Sequence, residues 1–132
     1  MNPLLLDTHI WVWSMMAPAR LAPRVRKALT SPETERWISP ISVWEVFMLC
    51  DKGRLELNPD AASWVAAALS RTQHREAPLT HDVAVAAATI TLAHRDPADR
   101  FLAATARVYD LTLVTADEKL LAGSGYRVLA NR

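Results

Sequence analysis

"PLLLDTHIW", residues 3–11, decides how the rest of the chain is read. Three successive leucines fit a short strand buried on both faces, as in the middle of a parallel sheet. The residue that follows them is Asp7, a carboxylate set at the mouth of the most apolar opening the chain could have. A turn or a helix cap explains this aspartate on its own. A functional site explains it only if other acids arrive at the same place, and the remaining sequence has to supply them.

Outward from this stretch the chain alternates between strand and helix patterns. Residues 9–16 and 22–29 read as helices, separated by Pro18 and Pro23, and residues 36–39 as a second short strand. Residues 42–52 form an apolar helix that stops at Gly53, where helices commonly end. Residues 61–71 are an alanine-rich helix and residues 76–79 a third strand. Thr80 caps a helix over residues 81–92, and Pro97 opens the next, to residue 109, at a position where its missing N–H is harmless. A fourth strand (111–115), a short helix (117–121) and an edge strand (126–129) complete the order. Strands separated by helices imply a parallel sheet with helices on both faces. Ligand sites in such sheets lie beyond the carboxyl ends of the strands. Asp7 and Asp117 each follow a strand, so both belong to that rim.

The 132 residues suit a single domain, 1–132. With 51% apolar and 22% charged residues the chain should fold compactly. A net charge of +1 gives no general basic field, so any binding of nucleic acid has to come from a local arrangement. The lone Cys50 cannot form an internal disulfide, which suits a reducing compartment. No basic residue precedes the leucines and Asp7 interrupts them, unlike an export signal. The longest uncharged run is too short for a bilayer. These features lead us to expect a soluble cytoplasmic protein without membrane attachment.

Three further places carry acids of interest. Glu45, in "SPISVWEVFMLC", shares a helical stripe with Ile41, Met48 and Leu49, where an ionised carboxylate is costly unless something pairs with it. Alternatively it completes a capping box with Ser42. In "HRDPADRFLAATA", Asp96 fits a helix cap and Asp99 the first turn, where the helix dipole favours negative charge. Asp99 also lies in line with Leu102, Ala106 and Tyr109, a stripe that should face the core. Asp117, in "VTADEKLL", can cap the helix after it, while Glu118 is expected in solvent.

Each acid alone reads as a cap, but four caps have no reason to gather at one edge. Two carboxylates about 5 Å apart repel by roughly 3 kcal/mol at an effective dielectric near 20. Four ionised together require protonation or a cation. Hard divalent ions with oxygen ligands, Mg²⁺ or Mn²⁺, fit such a set. Ions of this kind activate water and stabilise charge on a phosphoryl oxygen, which is the chemistry of phosphodiester hydrolysis.

"LLLDTH", "SVWE", "RDPADRFLAATA" and "LVTADEKL", in that order, resemble the PIN domain, and most closely the VapC-type toxin ribonucleases of bacterial toxin–antitoxin pairs. The resemblance covers nearly the whole chain. It implies a three-layer α/β/α sandwich around a short, mainly parallel sheet and metal-dependent endoribonuclease activity on structured RNA, often transfer or ribosomal RNA. It also implies a homodimer and a cognate antitoxin. Position by position, Asp7, Glu45, Asp99 and Asp117 match the family's metal-binding acids, Asp117 at the least constant place. Thr8 and Thr115 match flanking hydroxyl positions, and Asp96 is a partner that could orient the acids.

Arg95 and Arg100 flank the third acid and are candidate contacts for RNA phosphates, or else part of a solvated or acid-paired face. The four histidines have no zinc-site spacing, and His9 is expected to pack or face solvent. Trp11, Trp13, Trp44, Phe47 and Met48 exceed what one small core needs and suit a groove or dimer face, with core packing the simpler reading for some of them. A Mg²⁺-dependent phosphoacceptor domain would require paired acids after the first strand and a lysine after the late one, and this sequence has neither. A phosphatase with a nucleophilic aspartate would require an acid where His9 stands. A non-catalytic RNA- or protein-binding module on the same fold is the remaining alternative.

Overall fold

Leu4–Leu6 form β1, with all three side chains buried. Leu4 and Leu6 enter one apolar core with Ile10, Trp11, Val25 and Val46. Leu5 enters a second core with Leu102, Ala103 and Leu113. The alternation of a strand thus feeds two layers at once, each leucine contributing about 1.5–3 kcal/mol of burial. The computed structural model describes residues 2–93 and 96–132.

The elements after β1 are α1 (Thr8–Met16), a 3-10 turn (Pro18–Arg20), α2 (Pro23–Thr30), β2 (Arg36–Ile38), α3 (Pro40–Asp51) and α4 (Ala61–Arg71). Then come β3 (Arg75–Glu76), α5 (His81–Thr89), α6 (Pro97–Val108), β4 (Thr112–Thr115), α7 (Glu118–Ala122) and β5 (Arg127–Ala130). The sheet order is β3-β2-β1-β4-β5 and every pairing is parallel. The chain builds outward from β1 in one direction and then returns to build in the other. The reversal falls between β1 and β4, the place where open parallel sheets leave a crevice at their carboxyl ends.

Several boundaries differ from the sequence reading, each for an identifiable reason. The helix expected from Ser42 begins at Pro40, with the Ser39 hydroxyl accepting from the Ile41 N–H at 3.0 Å. Pro40 at the first position has its φ preset for a helix start. The capping box of Ser42 and Glu45 therefore does not form. The third strand is only two residues long: the Ala77 N–H still reaches the Ile38 carbonyl at 2.9 Å, but Pro78 has no N–H to continue the ladder. The helix expected through residue 92 stops at Thr89, where Ile90 turns extended and is buried. At the far end of α3 the expected stop holds. Gly53 takes a left-handed φ of 69°, and the Arg54 N–H closes on the Leu49 carbonyl at 2.9 Å.

α6 explains how a buried acid can sit so near the sheet. Ala98, Ala103, Ala104 and Ala106 are all buried, and their small side chains let the helix lie close to β4 on one side and α5 on the other. Among the described residues no helix is long and apolar enough to cross a membrane.

Candidate active site

Asp7 leaves β1 at its carboxyl end and caps α1. Its two oxygens are held from both sides: Oδ1 accepts from the Thr8 N–H at 2.7 Å and Oδ2 from the Thr115 hydroxyl at 2.6 Å. Thr115 is the last residue of β4, so neighbouring strands hold the carboxylate across the switch point. The same Thr115 oxygen accepts from the Asp117 N–H at 3.0 Å. One buried hydroxyl thus ties the Asp7 carboxylate to the backbone of Asp117.

Glu45 reaches the cluster from the first half of α3. With no capping duty, its Oε1 lies 2.5 Å from Thr8 Oγ1, which is also 3.0 Å from Ser42 Oγ. Thr8 has one hydroxyl proton, and an ionised carboxylate is the stronger acceptor. Ser42, buried inside α3, is expected from the sequence only as a cap, and its contact with Thr8 comes from a pairing 34 residues away in sequence. Asp96 caps α6, accepting from the Ala98 N–H at 2.9 Å, and is exposed. Asp99, one turn on, is 8% exposed and heads the buried stripe of Leu102 and Ala106. Asp117 caps α7, accepting from the N–H groups of Lys119 at 2.8 Å and Leu120 at 3.3 Å.

The carboxyl groups sense one another. Burial pushes Asp99 up to about 8, and the charges of Asp7, Asp96, Asp117 and Glu45 push the same way. Asp7 is also raised by burial, against the opposing hydrogen bond from Thr115, that from the Thr8 N–H and the nearby His9. Glu45 is raised by burial, with the Thr8 hydrogen bond opposing and Asp7 and Asp96 reinforcing. Tyr126 belongs to the same neighbourhood, and the sequence reading does not include it. Burial raises its phenol, and Asp117 and Asp99 reinforce the rise, while its O–H donates to the Leu120 carbonyl at 2.5 Å. A tyrosine beside an edge strand carries no pattern that marks such a position.

The acids come together as one electrostatic group without forming a closed cage. Among the described residues, no three acidic, histidine or cysteine side chains stand in position to enclose a metal ion. An all-oxygen set of this openness suits Mg²⁺ or Mn²⁺, which keep several waters and take one or two carboxylates directly. It does not suit a zinc cage of nitrogen and sulfur ligands.

Two expectations at the edge of the site change. Arg100, a candidate phosphate contact, instead turns inward. Its guanidinium donates to the carbonyls of Ala87 at 3.0 Å, Ile90 at 3.1 Å and Leu92 at 3.0 Å. It satisfies carbonyls at and beyond the end of α5, where the chain leaves the helix early. Arg95 lies outside the described residues. The aromatic set divides as well: Trp11 is core and meets Trp64 edge-on at 5.4 Å, whereas Trp44 is 53% exposed. His9 faces solvent, its ring 5.6 Å from that of Trp13.

A wholly parallel sheet with acids at its switch point defines a class of protein, and comparison with known proteins agrees. The PIN domain family model matches residues 4–123, and the chain belongs to the PIN-domain family. It is 31% identical over 121 residues, 91% of each protein, to Ribonuclease VapC22 of Mycobacterium tuberculosis (strain ATCC 25618 / H37Rv). Its fold is similar to that of a chain of DNA-bound VapBC from Salmonella typhimurium, with TM-score 0.72, 18% identity and 98% of each chain covered. It is similar also to a chain of VapBC2 from Rickettsia felis bound to a promoter DNA fragment. That match has TM-score 0.69 and 14% identity, over 96% of this chain and 97% of the other.

Proposed function

We propose that this chain is a divalent-metal-dependent endoribonuclease, working as a single domain in the cytoplasm as the toxin of a toxin–antitoxin pair. The observation that carries the reading is Asp99: a buried acid, raised to about 8, beside Asp7, Glu45 and Asp117 at the switch point of the sheet. The name of the curated relative, a ribonuclease, and the toxin–antitoxin complexes among proteins of the same fold support it.

Asp7 and Asp99 would hold Mg²⁺ or Mn²⁺, with Glu45 and Asp117 completing the set directly or through water. Bound there, the ion supplies an activated water and stabilises charge on the phosphoryl oxygen. Thr115 and Thr8 fix the rotamers of Asp7 and Glu45, so that the carboxylates meet substrate already oriented. Asp96 starts α6 and so sets the depth of Asp99. The substrate is structured RNA, transfer or ribosomal RNA by resemblance, and the partners are a cognate antitoxin and a second copy of the chain.

The test is cleavage of total cellular RNA by the purified chain with added Mg²⁺ or Mn²⁺, and with chelator. Cleavage that needs the ion and is lost in Asp99→Asn supports the proposal. Cleavage that survives both chelator and Asp99→Asn overturns it, and binding of RNA without any cleavage favours the non-catalytic module.

A further inference from the structure

Beside the acids lies a pocket of ≈ 370 Å³ between the outer face of α3 and the start of α6. Glu45 and Asp96 line it from facing helices. Its wall is Trp44, Met48 and Leu49, and Lys52 and Arg54 belong to it where α3 ends. Trp44, Met48 and Lys52 follow a spacing of four, one stripe of the helix. Glu45 and Lys52, both lining the pocket, are about 10 Å apart along the helix axis, about two turns of α3.

From this geometry we infer that the pocket binds one unstacked nucleoside of the RNA strand next to the cleaved phosphate. The base lies on Trp44 and the following phosphate reaches Lys52 and Arg54. The inference rests on the nuclease reading above for the position of the cleaved bond, but binding can be measured without it. Three features favour RNA as the occupant. An exposed indole beside an apolar floor offers a stacking platform that accepts any base. Lys52 and Arg54 form no ion pair with a carboxylate among the described residues, leaving their charge to a phosphate. The volume is that of a site for a small organic group rather than a duplex. Trp44 then selects single-stranded or looped RNA, whose bases can be turned out.

The test uses unstructured RNA dodecamers, all-uridine and all-adenosine, with the full chain. Binding is followed in chelator by fluorescence anisotropy of end-labelled dodecamers, with quenching of tryptophan fluorescence read alongside, and cleavage by KM and kcat with Mg²⁺. Trp44→Ala should weaken binding about tenfold or more and Trp44→Phe by less, the loss in cleavage falling on KM rather than kcat. Trp44→Phe should also remove most of the quench. Lys52→Ala should lower the salt slope of binding by about 0.7, as for one phosphate on a single strand. Unchanged binding by Trp44→Ala overturns the inference. So does light scattering in which Trp44→Ala converts a dimer to a monomer with RNA affinity unaltered, because the face then belongs to a second copy. If the wild-type chain binds the dodecamers through Trp44 but cleaves no RNA, the inference stands and the nuclease reading fails.

Discussion

The molecule treats its carboxylates in two opposite ways. On the periphery they pair with arginine: Glu35 with Arg75 at 3.3 Å, Asp110 with Arg127 at 2.7 Å and Glu118 with Arg132 at 3.3 Å. All of these side chains are largely exposed, and such pairs contribute no more than about 1 kcal/mol each. At the carboxyl end of β1 and β4, Asp7, Glu45 and Asp99 are buried or half-buried and are raised by burial and by neighbouring acids. Neutral donors hold them there: Thr115 on Asp7 and Thr8 on Glu45. The difference shows where the fold accepts electrostatic stress. Surface carboxylates are solvated wherever they stand, whereas the rim carboxylates are kept oriented at a cost to stability that a bound cation would relieve.

The largest effects should come from removing the stress. Asp7→Asn or Asp99→Asn should lower RNA cleavage more than about 100-fold, beyond what loss of an orienting partner does, with melting temperature unchanged or raised. Cleavage rates and thermal denaturation on the same preparations check both halves, and a variant that loses both activity and stability would break the contrast. Next come the groups that hold the acids: Thr115→Val should reduce activity or metal affinity about 10–100-fold while leaving a folded protein. Mg²⁺ titration of activity separates the two losses.

A smaller effect concerns pH. Folding raises Asp99 from the ordinary 3.8 to about 8, so between those values the folded chain holds a proton that the unfolded chain releases. The stability of the metal-free protein should therefore be greatest near the acid end of that window and fall as pH rises toward 8. Thermal denaturation in chelator between pH 5 and 8 measures the slope. Asp99→Asn should flatten it, and added Mg²⁺ should oppose the fall at the alkaline end. Smallest of all, Glu35→Gln and Asp110→Asn should each shift stability by no more than about 1 kcal/mol and leave cleavage unchanged. An effect on cleavage from either would show that periphery and rim are coupled.

Much of the site is legible in the amino-acid order itself. Asp7, Asp99 and Asp117 stand at element starts where local rules already place acids, and the alternation of elements puts those starts on one rim. Glu45 is legible as an acid on an apolar stripe, but the stripe leaves open whether Ser42 or the cleft explains it. Pro40 and Ser39 settle the helix start, and Thr8 takes the carboxylate. Arg100 misleads because its neighbours in sequence are acids, whereas the carbonyls it reaches lie at the end of another helix. For the roles that Tyr126 and Ser42 take up, no local pattern exists at all.

What the sequence by itself determined is what short-range physics controls: the buried strand of three leucines, the proline and glycine boundaries, the capping acids, and the alternation that makes the sheet parallel. Only the tertiary structure decided which side chains meet. Contacts such as Thr115 on Asp7, 108 residues apart, depend on β4 lying beside β1. So does the rise of Asp99 to about 8, because desolvation and the sum of distant charges exist only once the layers close over the rim.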